Sequence, residues 1–146
     1  MRNSCFKHLV ADNCTPAPKK SLSSTFVLVD DDNPDRIIGF YTLAIRGLMP
    51  ITELPSTMAS RLPLHIPGLT LARLAIAASH QSKGYGELLL VDAMLRAKEV
   101  AKQTGGFALF VDAKDDKAAN FYTKYGFAPL VSYPPTLAIP IASITL

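Results

Sequence analysis

The sequence predicts an α/β fold in a single domain, with a mixed central sheet and helices on both of its faces. Short apolar runs rich in β-branched and aromatic residues, typical of buried strands, alternate with longer segments whose apolar residues recur at helical spacing. The length of 146 residues suits one domain with a sizeable core. We therefore expect one domain over residues 1–146, without internal repeats.

The strands and helices can be assigned along the chain from composition and punctuation. The run TPAPKKSLSS over residues 15–24 is typical of a loop, and the acidic run DDDNPD over residues 30–35 is interpreted as a hairpin turn. A calcium loop is less favoured there, because no Glu or Gly follows at the required spacing. Strands are predicted over 25–30, 36–44, 69–77, 107–112, 127–131 and 136–146, helices over 87–104 and 113–125, and a short helix over about 52–61.

Composition excludes several classes of protein. No run of 18 apolar residues is present, and the first fourteen residues lack a continuous apolar core, so we expect neither a membrane span nor a secretory signal and place the protein in the cytoplasm. Cys5 and Cys14 have no partners at metal-ligand spacing, so no metal is expected and both are interpreted as ordinary thiols. The net charge of +3 permits an acidic partner without requiring one.

Residues 71–99 combine an apolar strand, the glycine-containing turn SHQSKGYG and a long helix. Helix N-termini have unpaired N–H groups and a partial positive charge, so this arrangement favours an anion. The nucleotide-triphosphatase loop does not fit, because Lys83 precedes the glycines and Glu87 follows them. The dinucleotide fingerprint is weak, because position 89 is leucine. A glycine-rich connection without a ligand is the alternative for the turn alone.

Two motifs together indicate a family. The spacing Gln81-x-x-Gly84-x-Gly86 resembles the pyrophosphate-binding turn of the GCN5-related N-acetyltransferases, which bind acetyl-coenzyme A. Residues 118–127, AANFYTKYGF, resemble the A-x-x-F-Y-x-x-x-G-F segment of the same enzymes. Both motifs occur in the family's order, so the chain is identified as a member of this acetyltransferase family.

The resemblance implies acetyl-coenzyme A as co-substrate and assigns roles to named residues. Backbone N–H groups of one strand segment would bind the acetyl carbonyl and the pantetheine arm, and those of the turn would bind the pyrophosphate. Tyr122 would be the catalytic acid that protonates the leaving thiolate. The implied coenzyme-binding residues are Leu74, Ala75, Ile76, Gln81, Ser82, Lys83, Gly84, Tyr85, Gly86 and Glu87.

Further segments resemble one subgroup, the acetyltransferase toxins of bacterial toxin–antitoxin modules. The subgroup implies acetylation of the α-amino group of an aminoacyl-tRNA, which blocks translation. It also implies a ribbon-helix-helix antitoxin as partner and allows a homodimer. The matching segments are 25–27, 39–43, 61–63, 72–76, 86–93, 111–115 and the closing proline-rich strand.

Basic residues are candidates for guiding the RNA acceptor stem. Arg73 and Lys83 are the two we favour as RNA-binding residues. Arg61 and Lys117 are further candidates, and Arg46 could serve as a substrate clamp. Each of these five side chains could equally be a solvated surface charge.

One departure from the family concerns the N-terminal segment. Family members carry a further strand and the start of a helix before the strand at 25–27. Here only residues 6–13 could represent the helix remnant, so we expect the first strand to be missing and residues 1–24 to form a remnant helix and loop. Two other functions stay open: an acetyltransferase for a small amine or a protein N-terminus, and a shortened inactive relative that only binds antitoxin or coenzyme.

Overall fold

The structure, a computed structural model, describes residues 4–7, 23–30, 32–55 and 63–145. No helix within these residues is long and apolar enough to cross a membrane. The chain divides into two compact units, Met1–Ala44 with Leu71–Ala93 and Ile45–Thr70 with Met94–Leu146. Two strands and one helix have residues in both units.

The described secondary structure consists of strands, two α-helices and three single 3₁₀ turns. The strands are β1 Ser4–Lys7, β2 Ser23–Asp30, β3 Asn33–Pro50, β4 His65–Ile76, β5 Ala108–Asp112, β6 Ala128–Pro129 and β7 Thr136–Pro140. The helices are α1 Tyr85–Thr104 and α2 Asp116–Thr123, and the 3₁₀ turns are Ile51–Glu53, Ala78–His80 and Ile141–Ser143.

In the first unit, hydrogen-bonded neighbours follow the order β1-β2-β3-β4. Asp30 pairs with Asn33 across a tight hairpin, which confirms the turn predicted for the acidic run. Residues of β2 and β3 such as Leu28, Ile38 and Tyr41 are fully buried. The first half of α1 adds buried leucines to this core, as its helical spacing predicts.

The expected absence of a strand before β2 is wrong, because β1 occupies that position. It pairs antiparallel with β2, with Ser4 opposite Asp30 and Lys7 opposite Val27. Phe6 and Lys7 are therefore strand residues and not part of a remnant helix, while residues 8–13 lie outside the described residues. The pairing has a simple cause, since the outer backbone groups of β2 would otherwise lack hydrogen-bond partners within the sheet.

In the second unit, the strand order is β3-β4-β5-β7-β6. Phe107 N–H donates to the carbonyl of Pro67 at 2.9 Å, and Thr70 Oγ1 donates to the carbonyl of Phe110 at 3.4 Å. From the first of these hydrogen bonds to the second, the residue number rises by three on both strands. β4 and β5 therefore run in the same direction. The strand pairs β5–β7 and β6–β7 are antiparallel, which confirms the predicted mixed sheet.

A compact apolar cluster forms the core of the second unit around the ring of Phe110. Gly68 permits this packing, because a Cβ atom at that position would lie 2.4 Å from Phe110 Cε2. At the last turn of the chain, the Lys98 ammonium donates to the carbonyl of Ile144 at 2.7 Å. The buried cluster consists of Leu54, Ile66, Ala108, Phe110, Leu130 and Ala138.

The boundaries of several elements differ from the sequence prediction. β3 continues to Pro50, and the described start of the short helix predicted over about 52–61 is a 3₁₀ turn, Ile51–Glu53, after which Leu54 is extended. The remaining positions 56–62 lie outside the residues described. Helix α2 begins at Asp116 rather than at 113, because the Asp115 side chain caps it.

Gly39 lies where β3 packs closely against β4 and α1 in the first unit. A Cβ atom there would lie 2.6 Å from Ile76 Cδ1 and 2.7 Å from the carbonyl oxygen of Ala75. We expect Gly39→Ala to lower the free energy of unfolding by about 1–3 kcal/mol, measured by urea denaturation. Gly47→Ala on the same strand is the control, since nothing lies within 4 Å of its added Cβ. Equal unfolding free energies for the two variants would contradict this account.

Candidate active site

The turn between β4 and α1 has an unusual backbone. Ser82 adopts φ of 63° and Gly84 adopts φ of 83°, both in the left-handed region. A Cβ atom on Gly84 would meet nothing within 4 Å. Glycine is therefore favoured at this position by backbone conformation and not by a close neighbour, and the space beside it is open.

Side-chain hydrogen bonds fix the turn onto the end of the strand. Gln81 Nε2 donates to the carbonyl of Ile76 at 3.2 Å. His80 is buried. Its backbone N–H donates to the carbonyl of Ala77 at 2.8 Å, and its ring atom Nδ1 lies 2.8 Å from Ser79 Oγ. The side chain of Gln81 thus stabilises the turn itself, a role that the motif alone did not reveal.

The N-terminal end of α1 presents unpaired backbone donors. Its first intrahelical hydrogen bond runs from Leu88 N–H to the carbonyl of Gly84 at 3.2 Å. The N–H groups of Tyr85, Gly86 and Glu87 precede this bond and therefore have no acceptor inside the helix. With the helix dipole, they form an anion-binding end that fits a phosphate group without a dedicated side chain.

The face of the first unit around this turn is open to solvent. Lys83 in the turn and Arg73 on β4 are both exposed, as an RNA-binding role requires. Ala72 and Ala75 of β4 are exposed as well, while Leu74 and its neighbour Ile76 are half-buried. Arg61 lies outside the part of the chain that the structure describes.

Tyr122 belongs to the second unit, on the last turn of α2. Its side chain is 7% exposed and contacts Phe121 and Phe127 edge to face, with ring centroids 5.3 Å and 5.7 Å apart. Burial raises the pKa of the Tyr122 phenol above its ordinary value. The hydroxyl therefore stays protonated at neutral pH, as a proton donor must.

Local sequence explains why α2 holds Tyr122 in this position. Asp115 Oδ1 accepts a hydrogen bond from Ala118 N–H at 2.8 Å and fixes the start of the helix. Gly126, with φ of 98°, ends the helical segment and turns the chain. Phe127 then lies against Tyr122 and donates its N–H to the Tyr122 carbonyl at 3.4 Å.

Among the polar contacts that the sequence did not predict, two involve strand β3. In the first unit, the buried Tyr41 hydroxyl donates to the Asp92 carboxylate. In the second, Arg46 Nη1 lies 3.8 Å from Asp112 Oδ2, and the guanidinium lies 5.1 Å above the ring of Phe110. Asp92 is an acidic residue within the apolar half of α1, and this position could have indicated the first contact. The second contact depends on how the strands align.

The fold and the turn define a class of protein: an α/β domain with an open helix N-terminus after its fourth strand. Comparison with known families gives the class a name. The family model described as the acetyltransferase (GNAT) domain matches residues 22–129. The chain therefore belongs to the GNAT acetyltransferase family.

Particular relatives are similar to the chain over most of its length. A tRNA-acetylating toxin of Mycobacterium tuberculosis is 35% identical over 92 residues, which are 63% of this chain and 55% of the relative. The structure of AtaT complexed with acetyl-methionyl-tRNAfMet has 32% identity and a TM-score of 0.77, covering 84% of this chain and 74% of AtaT. A mutant AtaT toxin bound to the C-terminus of the antitoxin AtaR and acetyl-CoA has 31% identity and a TM-score of 0.68, covering 84% and 70%.

The raised pKa of Tyr122 predicts a pH dependence of stability. Because the folded state keeps the phenolic proton more tightly than the unfolded state, this stabilisation is complete below the ordinary tyrosine pKa of ~10 and is lost as pH rises through the folded value. We expect the urea midpoint of the wild type to fall more steeply above about pH 10 than that of Tyr122→Phe. Parallel pH profiles for the two proteins would show that Tyr122 ionises as freely in the folded state as in the unfolded one.

Proposed function

We propose that this protein transfers the acetyl group of acetyl-coenzyme A to the α-amino group of an aminoacyl-tRNA and acts as a translation-blocking toxin. The observation that carries the proposal is the likeness to AtaT complexed with acetyl-methionyl-tRNAfMet, at 32% identity and a TM-score of 0.77. The open helix end in the first unit supports it, since the coenzyme has a pyrophosphate that needs such donors.

The coenzyme is assigned to the strand and turn of the first unit. The N–H groups at the start of α1, with the turn from Gln81 to Gly84, bind the pyrophosphate. Backbone N–H groups of the segment 74–76 donate to the acetyl carbonyl and the pantetheine arm. The exposed, small side chains of Ala72 and Ala75 favour this role, because they leave the strand accessible to a ligand.

The chemistry is aminolysis of a thioester. The neutral amine attacks the carbonyl carbon, an N–C bond forms, and the C–S bond breaks with release of the thiolate. Tyr122 gives its phenolic proton to that sulfur and regains one from water, while the attacking nitrogen loses its extra proton to solvent. A thiol, with a pKa of ~8.5, is a stronger acid than a phenol, so this transfer requires a dry site in which the thiolate is also destabilised. The 7% exposure of Tyr122 suits such a site.

The acidity of the acceptor favours an aminoacyl ester over a protein lysine. An α-amino group has a pKa of ~8, and esterification of the adjacent carboxylate lowers that pKa further, so much of the amine is neutral at pH 7. A lysine ε-amine with a pKa of ~10.4 needs a strong general base. The sequence supplied no clear candidate for that base.

RNA and protein partners follow from the same proposal. Arg73 and Lys83 are assigned to the RNA acceptor stem, since both are exposed cations flanking the coenzyme strand and turn. The mutant AtaT toxin is bound to part of the antitoxin AtaR. By analogy, we propose that the present protein binds an antitoxin of the ribbon-helix-helix class. We also propose that it assembles as a homodimer and acts in the cytoplasm, where charged tRNA is present.

The test is transfer of label from acetyl-coenzyme A to a pool of charged tRNA. We expect label on the aminoacyl group, with kcat lowered about 100-fold or more in Tyr122→Phe while coenzyme binding is retained. Phe121→Leu, which alters a neighbouring ring without removing a hydroxyl, is the control. Binding of coenzyme without transfer to any charged tRNA would point to a small amine or protein N-terminus as acceptor, or to an inactive relative. Failure to bind coenzyme would contradict the proposal altogether.

A further inference from the structure

The connection between β6 and β7 in the second unit is held in one conformation by several hydrogen bonds. The chain closes on itself where Leu130 N–H donates to the carbonyl of Thr136 at 2.8 Å and Thr136 N–H donates to that of Tyr133 at 3.0 Å. Glu53, which is not part of this connection, forms hydrogen bonds with two of its middle residues. Its carbonyl accepts from Val131 N–H at 2.9 Å, and its carboxylate accepts from Ser132 N–H at 3.3 Å and Ser132 Oγ at 2.7 Å.

This fixed connection exposes two large apolar side chains. Val131 is 63% exposed and Tyr133 is 60% exposed. Free loops expose such residues often, but here five hydrogen bonds fix the backbone that carries them. An aromatic ring on an ordered backbone can bind a flat ligand with little loss of conformational entropy.

The same connection is joined to the carboxyl end of β5. Pro135 accepts a hydrogen bond from Ala113 N–H at 2.8 Å, and Thr136 Oγ1 donates to Asp112 Oδ1 at 2.5 Å. The Asp112 side chain is nevertheless 64% exposed. The Thr136 hydroxyl orients the carboxylate, and Arg46 Nη1 lies 3.8 Å from its other oxygen. Tyr133 and Asp112 are thus linked through Thr136, which donates its N–H to the Tyr133 carbonyl and its hydroxyl to the Asp112 carboxylate.

We propose that Tyr133 and Asp112 form a nucleoside-binding site for the unpaired 3′ end of the acceptor RNA. Tyr133 stacks on a base, and Asp112 accepts a hydrogen bond from a ribose hydroxyl. The inference rests on the proposed function and deepens it, because it names residues that recognise the RNA end rather than its stem.

The chemistry favours a nucleoside over a protein side chain at this site. Stacking on an aromatic ring is tolerant of base identity and suits single-stranded RNA, whose bases are accessible. The exposed carboxylate of Asp112, linked to Tyr133 through Thr136, suits the ribose hydroxyls that distinguish RNA from an apolar peptide. The coenzyme also contains a nucleoside, so the experiment must separate that source from the RNA.

The first measurement is binding of two fluorescent RNA hairpins, one with a four-nucleotide unpaired 3′ end and one blunt. We expect the wild type to prefer the unpaired end. Tyr133→Phe keeps the preference, while Tyr133→Leu, which retains apolar area but lacks an aromatic face, loses it with an affinity loss of about tenfold or more. Val131→Ala, an equally exposed position on the same connection, is the matched control and leaves the preference unchanged. Asp112→Asn weakens binding of the unpaired end only.

The second measurement is the KM of each substrate in acetyl transfer. Tyr133→Leu should raise the KM for aminoacyl-tRNA and leave the KM for acetyl-coenzyme A unchanged. A change in the KM for acetyl-coenzyme A alone would overturn the inference and would indicate that the site binds the coenzyme's nucleoside. Unchanged RNA binding together with weaker antitoxin binding would overturn it in favour of a protein surface. If no charged tRNA is acetylated but the hairpin preference depends on Tyr133, the proposed function fails while the nucleoside site stands.

Discussion

The direct passage from β4 into α1 is the constraint on which the first unit depends. Only the residues 77–84 separate the two elements, so the chain must reverse within a short segment while leaving the helix N-terminus open. Left-handed backbone at Ser82 and Gly84 makes this reversal possible, and the Gln81 side chain ties it to the strand end. Because Gly39 has no side chain, β4 can approach β3 closely, and both strands can pack against the first half of α1.

Features that depend on neighbouring residues in sequence could be predicted before the structure was known. The turn and long helix follow from two glycines and a sustained helical period, and α2 follows from its acidic start and closing glycine. These same local patterns carried the family resemblance. The positions of Gly84 and Tyr122 were therefore predictable, whereas the burial of Tyr122 depends on Phe121 and Phe127 folding against it.

Features that depend on strand alignment could not be predicted in the same way. Arg46 and Asp112 are far apart in sequence, and nothing in either neighbourhood indicates that three adjacent strands bring them within 3.8 Å. The contact between Glu53 and the connection after β6 has the same origin. Strand β1 was not predicted, because four residues are too few to show the alternation of apolar and polar side chains that is typical of a strand. Its formation depends on pairing with the edge of β2.

The helix end at Tyr85 also bears on how such a protein can change during evolution. Its donors are main-chain N–H groups, which every amino acid except proline supplies, so most substitutions in the turn leave the number of donors unchanged. The recognition that we propose for Tyr133 and Asp112 depends instead on side chains, which a single nucleotide change can replace. Coenzyme use should therefore persist through long sequence divergence, while preference for the acceptor can drift rapidly among descendants of one ancestral gene.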